Sequence, residues 1–375
     1  MNILACASGF GLGPGGKLSS IIEKVLLLCG KDVRWYACGD KIDTAIFKNN
    51  IFLKVCWTRD EEKIVKFVKE NNIKLAIVIL DPDVAIILQR NGVDVFFVDS
   101  LPFLWTEADV IPFNVTQYFA QKCMEMSEEA TKIINKVENL KWVDPIVADI
   151  KASDEETKYK VIINLGGLHS TVDRGRGYVD LVLSTLIDNL LKKYKTEEII
   201  ITCGSNASKV VREVLYSKGI NNINVSTLVQ KEFLKLVINC ELFITSPGLT
   251  TIYETCKYDK NTILLPPQNL SQYYNSNFAK NLIKKIKLIE WNKYDLELEY
   301  FKKYLYLGED LVVEIIFKNI DNASRNNEYK RELYENIEKI LNTDFKSKNV
   351  VEFGEDGAEI IAQEIRNFVI KYKEK

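Results

Sequence analysis

Histidine is almost absent from this chain, with one residue, His169, among 375. A catalytic zinc site built on two or three imidazoles is therefore excluded, and any step that needs histidine must use that one side chain. An excess of charge is missing too, since 50 Lys+Arg stand against 52 Asp+Glu for a formal net charge of −2. A protein that binds a phosphate backbone would carry a basic excess or stripe, so nucleic acid is not an expected partner. The eight cysteines form no C-x-x-C pair and are scattered over apolar stretches. They read as small buried hydrophobes in a reducing compartment, not as a disulfide framework. No apolar run approaches the ~18–20 residues of a membrane span. The first residues, MNILACAS, form an apolar strand without a basic leader, which is not the pattern of a signal peptide. The expectation is a soluble, cytoplasmic protein.

What is present is an ordinary globular composition, 47% hydrophobic and 27% charged, at a length that suggests two domains. Short apolar runs alternate with amphipathic helical stretches. NILACAS (2–8), DVRWYAC (32–38), LAIVIL (75–80) and DVFFVDS (94–100) read as strands. The apolar face Leu18, Ile21, Ile22, Val25, Leu26 and Cys29 predicts a helix after the first, opening beyond the glycine-rich GFGLGPGGK. Thr58 with Glu61 resembles a capping box for the helix carrying Ile64, Phe67 and Val68. Strand–helix–strand at this spacing argues for a parallel sheet covered on both faces.

After KWVDPIVAD and the charged DIKASDEETKYK, the pattern restarts with KVIINLGG (160–167), EEIIITCGS, NINVST, ELFITS and NTILLP, separated by helices. The expected architecture is α/β, two Rossmann-like domains facing a cleft. Domain one spans 1–145, domain two 146–355, and an apolar helical stripe over 356–375 docks back towards the first. The Lys/Glu/Asn-rich stretch from Trp291 to Thr343 reads as solvated helix without chemistry.

The most informative stretch is SPGLTTIYETCKYDKNTILLPPQNLSQYYNSNFA (246–279). Pro247-Gly248 ends a strand and opens a helix whose first amides, near Thr250 and Thr251, suit a diphosphate. Glu254, one turn in, suits ribose hydroxyls, and Gln272 and Asn275 suit sugar hydroxyls. The plainer alternative is a capped helix followed by a surface loop. The first glycine loop departs from G-x-G-x-x-G, and no acidic residue closes the second strand directly, which counts against a dinucleotide site. Lys17 ends that loop either as a phosphate or carboxylate ligand or as a solvated lysine. Asp99 and Ser100 end a strand where open α/β sheets place ligands, with Phe103 and Trp105 following. Asp99 is then either a proton acceptor beside an aromatic pocket or the cap of a turn whose aromatics are core. Asp81, before Pro82, has similar standing.

The 246–279 pattern resembles the nucleotide-sugar site of GT-B glycosyltransferases, in the branch of the peptidoglycan N-acetylglucosaminyltransferase and the UDP-glycosyltransferases. The resemblance implies that Gly248, Thr250, Thr251, Glu254, Gln272 and Asn275 hold a UDP-sugar. It places GGLHS, with Gly167, His169 and Ser170, near the diphosphate. Gly204 ends the next strand at the same place, and the base lies at the turn around Val229. In the first loop Phe10, Gly15 and Gly16 fall where the family meets acceptor and donor, and Lys17 stands where it often has a basic histidine. The combination of that loop, VDSLPFLWTEAD and GGLHS is similar to cytosylglucuronate synthases of nucleoside-antibiotic biosynthesis, which join cytosine to the sugar of UDP-glucuronate. That implies an acceptor site with Phe10, Asp81, Ser100, Phe103 and Trp105, with Asp99, Lys17 and His169 catalytic. Arg174 and Arg176 either hold the uronate carboxylate or form a solvated basic turn, and His169 either steadies the leaving group or is structural. Inversion follows from the family alone. Neither a metal nor a cofactor beyond the UDP-sugar substrate is expected. A nucleotide-sugar epimerase or hydrolase, or a non-catalytic sugar-nucleotide binder, would use the same architecture.

Overall fold

The computed structural model describes residues 1–9, 13–42, 47, 51–123, 125–148, 150, 157–168, 175–283, 285–345 and 354–374. The chain divides into two compact units. Unit 1 comprises Met1–Ala148 with Glu352–Lys375, and unit 2 comprises Asp149–Val351.

Unit 1 holds a seven-stranded sheet in the order β3-β2-β1-β4-β5-β6-β7, with every neighbouring pair parallel. The strands are β1 (Asn2–Ala7), β2 (Arg34–Gly39), β3 (Phe52–Trp57), β4 (Leu75–Ile79), β5 (Asp94–Asp99), β6 (Gln117–Gln121) and β7 (Leu140–Val143). The helices are α1 (Gly13–Cys29), α2 (Glu61–Glu70), α3 (Pro82–Arg90), α4 (Glu128–Ile134) and, from the chain's last segment, α14 (Gly357–Lys373). The central strand shows why the sheet is covered twice. Ile3, Ala5 and Ala7 of β1 join a core with α1 and α14, while Leu4 and Cys6 join another with α2, α3 and α4. On α14 the stripe Ala358, Ile361, Ala362, Ile365 and Val369 packs into the same core as Leu18, Ile21, Ile22 and Val25 of α1.

Unit 2 holds a six-stranded parallel sheet in the order β10-β9-β8-β11-β12-β13. Its strands are β8 (Val161–Asn164), β9 (Ile199–Thr202), β10 (Asn224–Ser226), β11 (Leu242–Thr245), β12 (Thr262–Leu264) and β13 (Ile286–Leu288). Helix α5 (Arg176–Tyr178) runs through a π turn at Val179–Leu183 into α6 (Ser184–Leu190). Then follow α7 (Ser205–Ser217), α8 (Gln230–Asn239), α9 (Leu249–Lys257), α10 (Leu270–Leu282), α11 (Leu298–Lys302), α12 (Glu309–Ser324) and α13 (Asn327–Leu341). Val237 of α8 packs with Ile162, Ile200 and Phe243 of three strands, while α12 and α13 pack against α5 and α6.

Three local features differ from the sequence pattern. Helix α1 begins at Gly13, so Gly15, Gly16 and Lys17 are helical instead of loop; Pro14, with its fixed φ, is well suited to the first turn. The cap of α2 is Asp60, whose carboxylate accepts the Lys63 amide, whereas the Thr58 hydroxyl accepts the Asp60 amide. Strands β3, β6 and β13 have no sequence signal of comparable strength. Edge strand β3 leaves Leu53 and Val55 exposed, and β13 is three residues long. Among the described residues, no helix is long and apolar enough to cross a membrane.

Candidate functional site

In an open parallel sheet, ligands bind beyond the carboxyl ends of the strands where the strand order reverses. Unit 2 reverses at β8 and β11, so its switch point lies at Asn164–Gly167 and Thr245–Gly248. Both glycine-bearing turns singled out in the sequence fall there. Asn164 ties them together. Its Nδ2 donates to Thr245 Oγ1 at 3.1 Å, and its Oδ1 accepts from the Gly166 amide at 3.2 Å and Thr202 Oγ1 at 3.3 Å. Gly167 has φ +83°, a conformation that favours glycine, and a Cβ there would stand 3.0 Å from Gln272 Nε2.

The helices leaving β9, β10 and β11 share a property. Their N-caps are Gly204, Val229 and Gly248, and none supplies a side-chain acceptor to the first amides. Helices α2, α3, α4, α10, α13 and α14 are capped by Asp60, Asp81, Ser127, Asn269, Asn326 and Asp356, whereas α5, α6, α11 and α12 are likewise without a side-chain cap. The first turn of α9 also carries no acidic residue. Such a terminus favours an anion through its amides and the positive end of the helix dipole. Thr250 and Thr251 are half-buried on that turn, and Glu254, one turn further in, is buried.

Gln272 and Asn275, read in sequence as sugar ligands, are both buried and hydrogen-bonded within the unit. Gln272 Oε1 accepts the Gln268 amide at 2.9 Å, and Asn275 Nδ2 donates to the Pro247 carbonyl at 3.0 Å. They brace the turn that opens α9. Gln268 belongs to the same brace, donating from Nε2 to Ser246 Oγ at 3.3 Å. Gln268, Ser246 and Asn164 carry no sequence signal of their own, since their roles depend on partners brought together by the fold. Arg176, a candidate for a carboxylate ligand, pairs at the surface with Glu213 at 3.2 Å. Phe10, His169, Ser170 and Arg174 lie outside the described residues.

Unit 1 reverses at β1 and β4, placing Ser8-Gly9 and Leu80-Asp81 at its switch point. Asp81 has 2% exposure and caps α3 through the Val84 amide. Burial raises its pKa, with the Arg59 guanidinium opposing. Asp99, one strand further along, is wholly buried. Its Oδ1 accepts the Leu101 amide at 2.8 Å, and its Oδ2 accepts Trp105 Nε1 at 2.6 Å and Tyr118 Oη at 2.7 Å. Burial raises this pKa as well, against the pull of those three donors. Asp99 is therefore the cap of the 101–105 turn, the plainer of its two expected roles, and its oxygens face protein donors instead of an open site. Ser100 is buried beside it, while Phe103 and Trp105 are half-buried. Lys17 has 3% exposure on α1, so it is not a solvated lysine. Among the described residues, no group of three or more His, Cys, Asp or Glu is arranged to hold a metal ion.

No protein-family model and no curated protein matches the chain. Solved structures do. The UDP-GlcNAc 2-epimerase of Methanocaldococcus jannaschii, in complex with UDP-GlcNAc and UDP, superposes with a TM-score of 0.57 at 13% identity, covering 98% of this chain and 100% of that one. UGT89C1 of Arabidopsis thaliana, complexed with UDP, gives 0.53 at 9% identity, covering 98% and 99%. MnaA of S. aureus, with UDP, gives 0.52 at 10% identity, covering 100% and 97%. The chain thus has a GT-B-like fold of two α/β units, each built on a parallel sheet.

Proposed function

We propose that this protein is a UDP-sugar-dependent glycosyltransferase. The observation that carries the reading is the edge of unit 2, where three helices without side-chain caps start beyond β9, β10 and β11, around a glycine-bearing switch point. The α9 terminus with Thr250 and Thr251 is assigned to the diphosphate, Glu254 to the ribose, and Gly204 and the Val229 turn to the rest of the nucleotide. UDP present in three structural neighbours supports a UDP-sugar as the class of donor. His169, in the same unit as the α9 terminus, is assigned to the leaving group, with no metal in the scheme. Gln272 and Asn275 are assigned to holding the α9 turn, from which the sugar is positioned.

The proposed donor is UDP-glucuronate and the proposed acceptor is cytosine, with unit 1 supplying the acceptor groups. In the transfer, the acceptor nitrogen loses its proton to a carboxylate and bonds to the anomeric carbon. The bond from that carbon to the UDP oxygen breaks, and its electron pair leaves with UDP. We assign the proton to Asp81, at the switch point, where the Val84 amide and Arg59 donate at 3.3 Å, over Asp99, which accepts three shorter bonds at 2.8, 2.6 and 2.7 Å. A raised pKa from burial suits a carboxylate that must accept a proton.

The test is to incubate the protein with UDP-glucuronate and cytosine and to look for cytosylglucuronate by mass spectrometry. A conjugate formed with release of UDP is the expected result. One neighbour defines the rival outcome, since it is a UDP-GlcNAc 2-epimerase in complex with UDP-GlcNAc and UDP. Sugar that is epimerised or released without any acceptor would favour that chemistry. UDP binding with no turnover of any donor would reduce the protein to a sugar-nucleotide binder.

A further inference from the structure

Arg59, just past the end of β3, forms a network at the unit 1 switch point that the scheme above leaves unused. Its Nε donates to Asp40 Oδ1 at 2.6 Å, and its Nη2 donates to Asp40 Oδ2 at 2.7 Å. The same Nη2 reaches Asp81 Oδ2 at 3.3 Å, and Nη1 lies 3.8 Å from Asp83. Asp40 Oδ2 in turn accepts the amide of Gly9 at 2.9 Å. One guanidinium therefore joins the exits of β2, β3 and β4, and through Asp40 the exit of β1. The two-pronged bond to Asp40 needs the flat fork of arginine, which a lysine cannot reproduce. The Asp81 carboxylate is almost wholly buried, while Arg59 is half exposed, so the network has a fixed wall and a face that reaches solvent.

We infer that Arg59 is a positioning residue: it sets the backbone where β1 ends at Gly9, and it holds the Asp81 carboxylate in place as proton acceptor. The second half rests on the assignment of the acceptor proton to Asp81, whereas the first stands on geometry alone. Besides the Val84 amide, which also favours the carboxylate, the titratable and charged groups that face Asp81 are Arg59 from the β3 exit, Asp40 from the β2 exit, Asp83 on α3 and the Cys6 thiol on β1. Of these only Arg59 favours the charged carboxylate. Its removal therefore raises the pKa of Asp81 further.

The experiment compares Arg59→Gln and Arg59→Lys in the full chain. Exchange of the Gly9 amide and the carboxyl titration of Asp81 are followed by NMR, alongside the pH dependence of kcat/KM. Both variants should speed Gly9 exchange about ten-fold, because both lose the fork that anchors Asp40. The Asp81 midpoint should rise in Arg59→Gln and much less in Arg59→Lys, which keeps the charge. With turnover in hand, kcat/KM should fall about 100-fold in Arg59→Gln, the scale expected for misplaced reacting groups, with its acid limb moved to higher pH. UDP affinity, assigned to unit 2, should stay at the wild-type value, and a wild-type urea midpoint and amide spectrum show that unit 1 of each variant is folded. Gly9 exchange and an Asp81 midpoint both unchanged in Arg59→Gln would overturn the inference. Absence of turnover in the wild type counts against the function proposed above, and the two NMR readouts then decide the role of Arg59.

Discussion

A carboxylate at a strand end acts as its hydrogen-bond partners and exposure allow. Asp40, Asp81 and Asp99 all sit at the carboxyl edge of one sheet, yet they differ in pKa direction. Asp40 is held low by the Arg59 hydrogen bonds, whereas Asp81 and Asp99 are pushed up by burial. For Asp99 the folded state holds its proton at pH values where the unfolded chain has lost it. Its contribution to stability is therefore largest at low pH, and is lost as pH rises from about 3.9 through the folded value. Asp99→Asn places an amide against one of three donors and should cost about 1–3 kcal/mol of stability. In urea titrations from acid to neutral pH, the gap between wild type and variant should narrow as pH rises. A gap that is flat or widens would contradict the burial argument.

At the scale of the element, helix ends separate structure from proposed function. Helix α10 is capped by Asn269, which accepts the Gln272 amide at 3.0 Å, and its first turns then hold the α9 turn through Gln272 and Asn275. Helix α9 begins at a glycine with no side-chain cap and no acidic residue in its first turn, which suits the anion proposed for it. The residues that sequence reasoning assigned to the sugar thus brace the helix proposed for the diphosphate. Their side-chain types were legible, but their partners, Pro247 and Gln268, depended on how loop and turn pack. Helix α14 shows the opposite case. Its stripe was plain in the sequence, and the structure supplies its partner, α1, through one shared core. Ile365 is fully buried there, so Ile365→Ala should destabilise unit 1 by about 2–5 kcal/mol, read as a lower urea midpoint. UDP affinity, assigned to unit 2, should be unaltered in that variant.

For the whole molecule, the two units make separate predictions. UDP at 100 times its dissociation constant should stabilise the folded state by about 2.7 kcal/mol, visible as a raised melting transition. Glu254→Ala should weaken UDP binding by about ten-fold to 100-fold, the worth of hydrogen bonds to a charged group, and a variant with full affinity would remove Glu254 from the site. The two parallel sheets were legible because each core strand buries both faces and so reads as a continuous apolar run, as in NILACAS and KVIINLGG. Edge strand β3 was not, since Leu53 and Val55 are exposed and no such run marks it. The single histidine and the lack of paired cysteines narrowed the chemistry from composition alone. Local pattern determined the strands, the glycine turns and the apolar helix faces, because those depend on neighbours along the chain. The order of the strands, and with it the two switch points, was decided only in three dimensions. So were the surroundings of Asp99, because the donors that enclose it come from Leu101, Trp105 and Tyr118, and the last reaches it only because β6 lies beside β5.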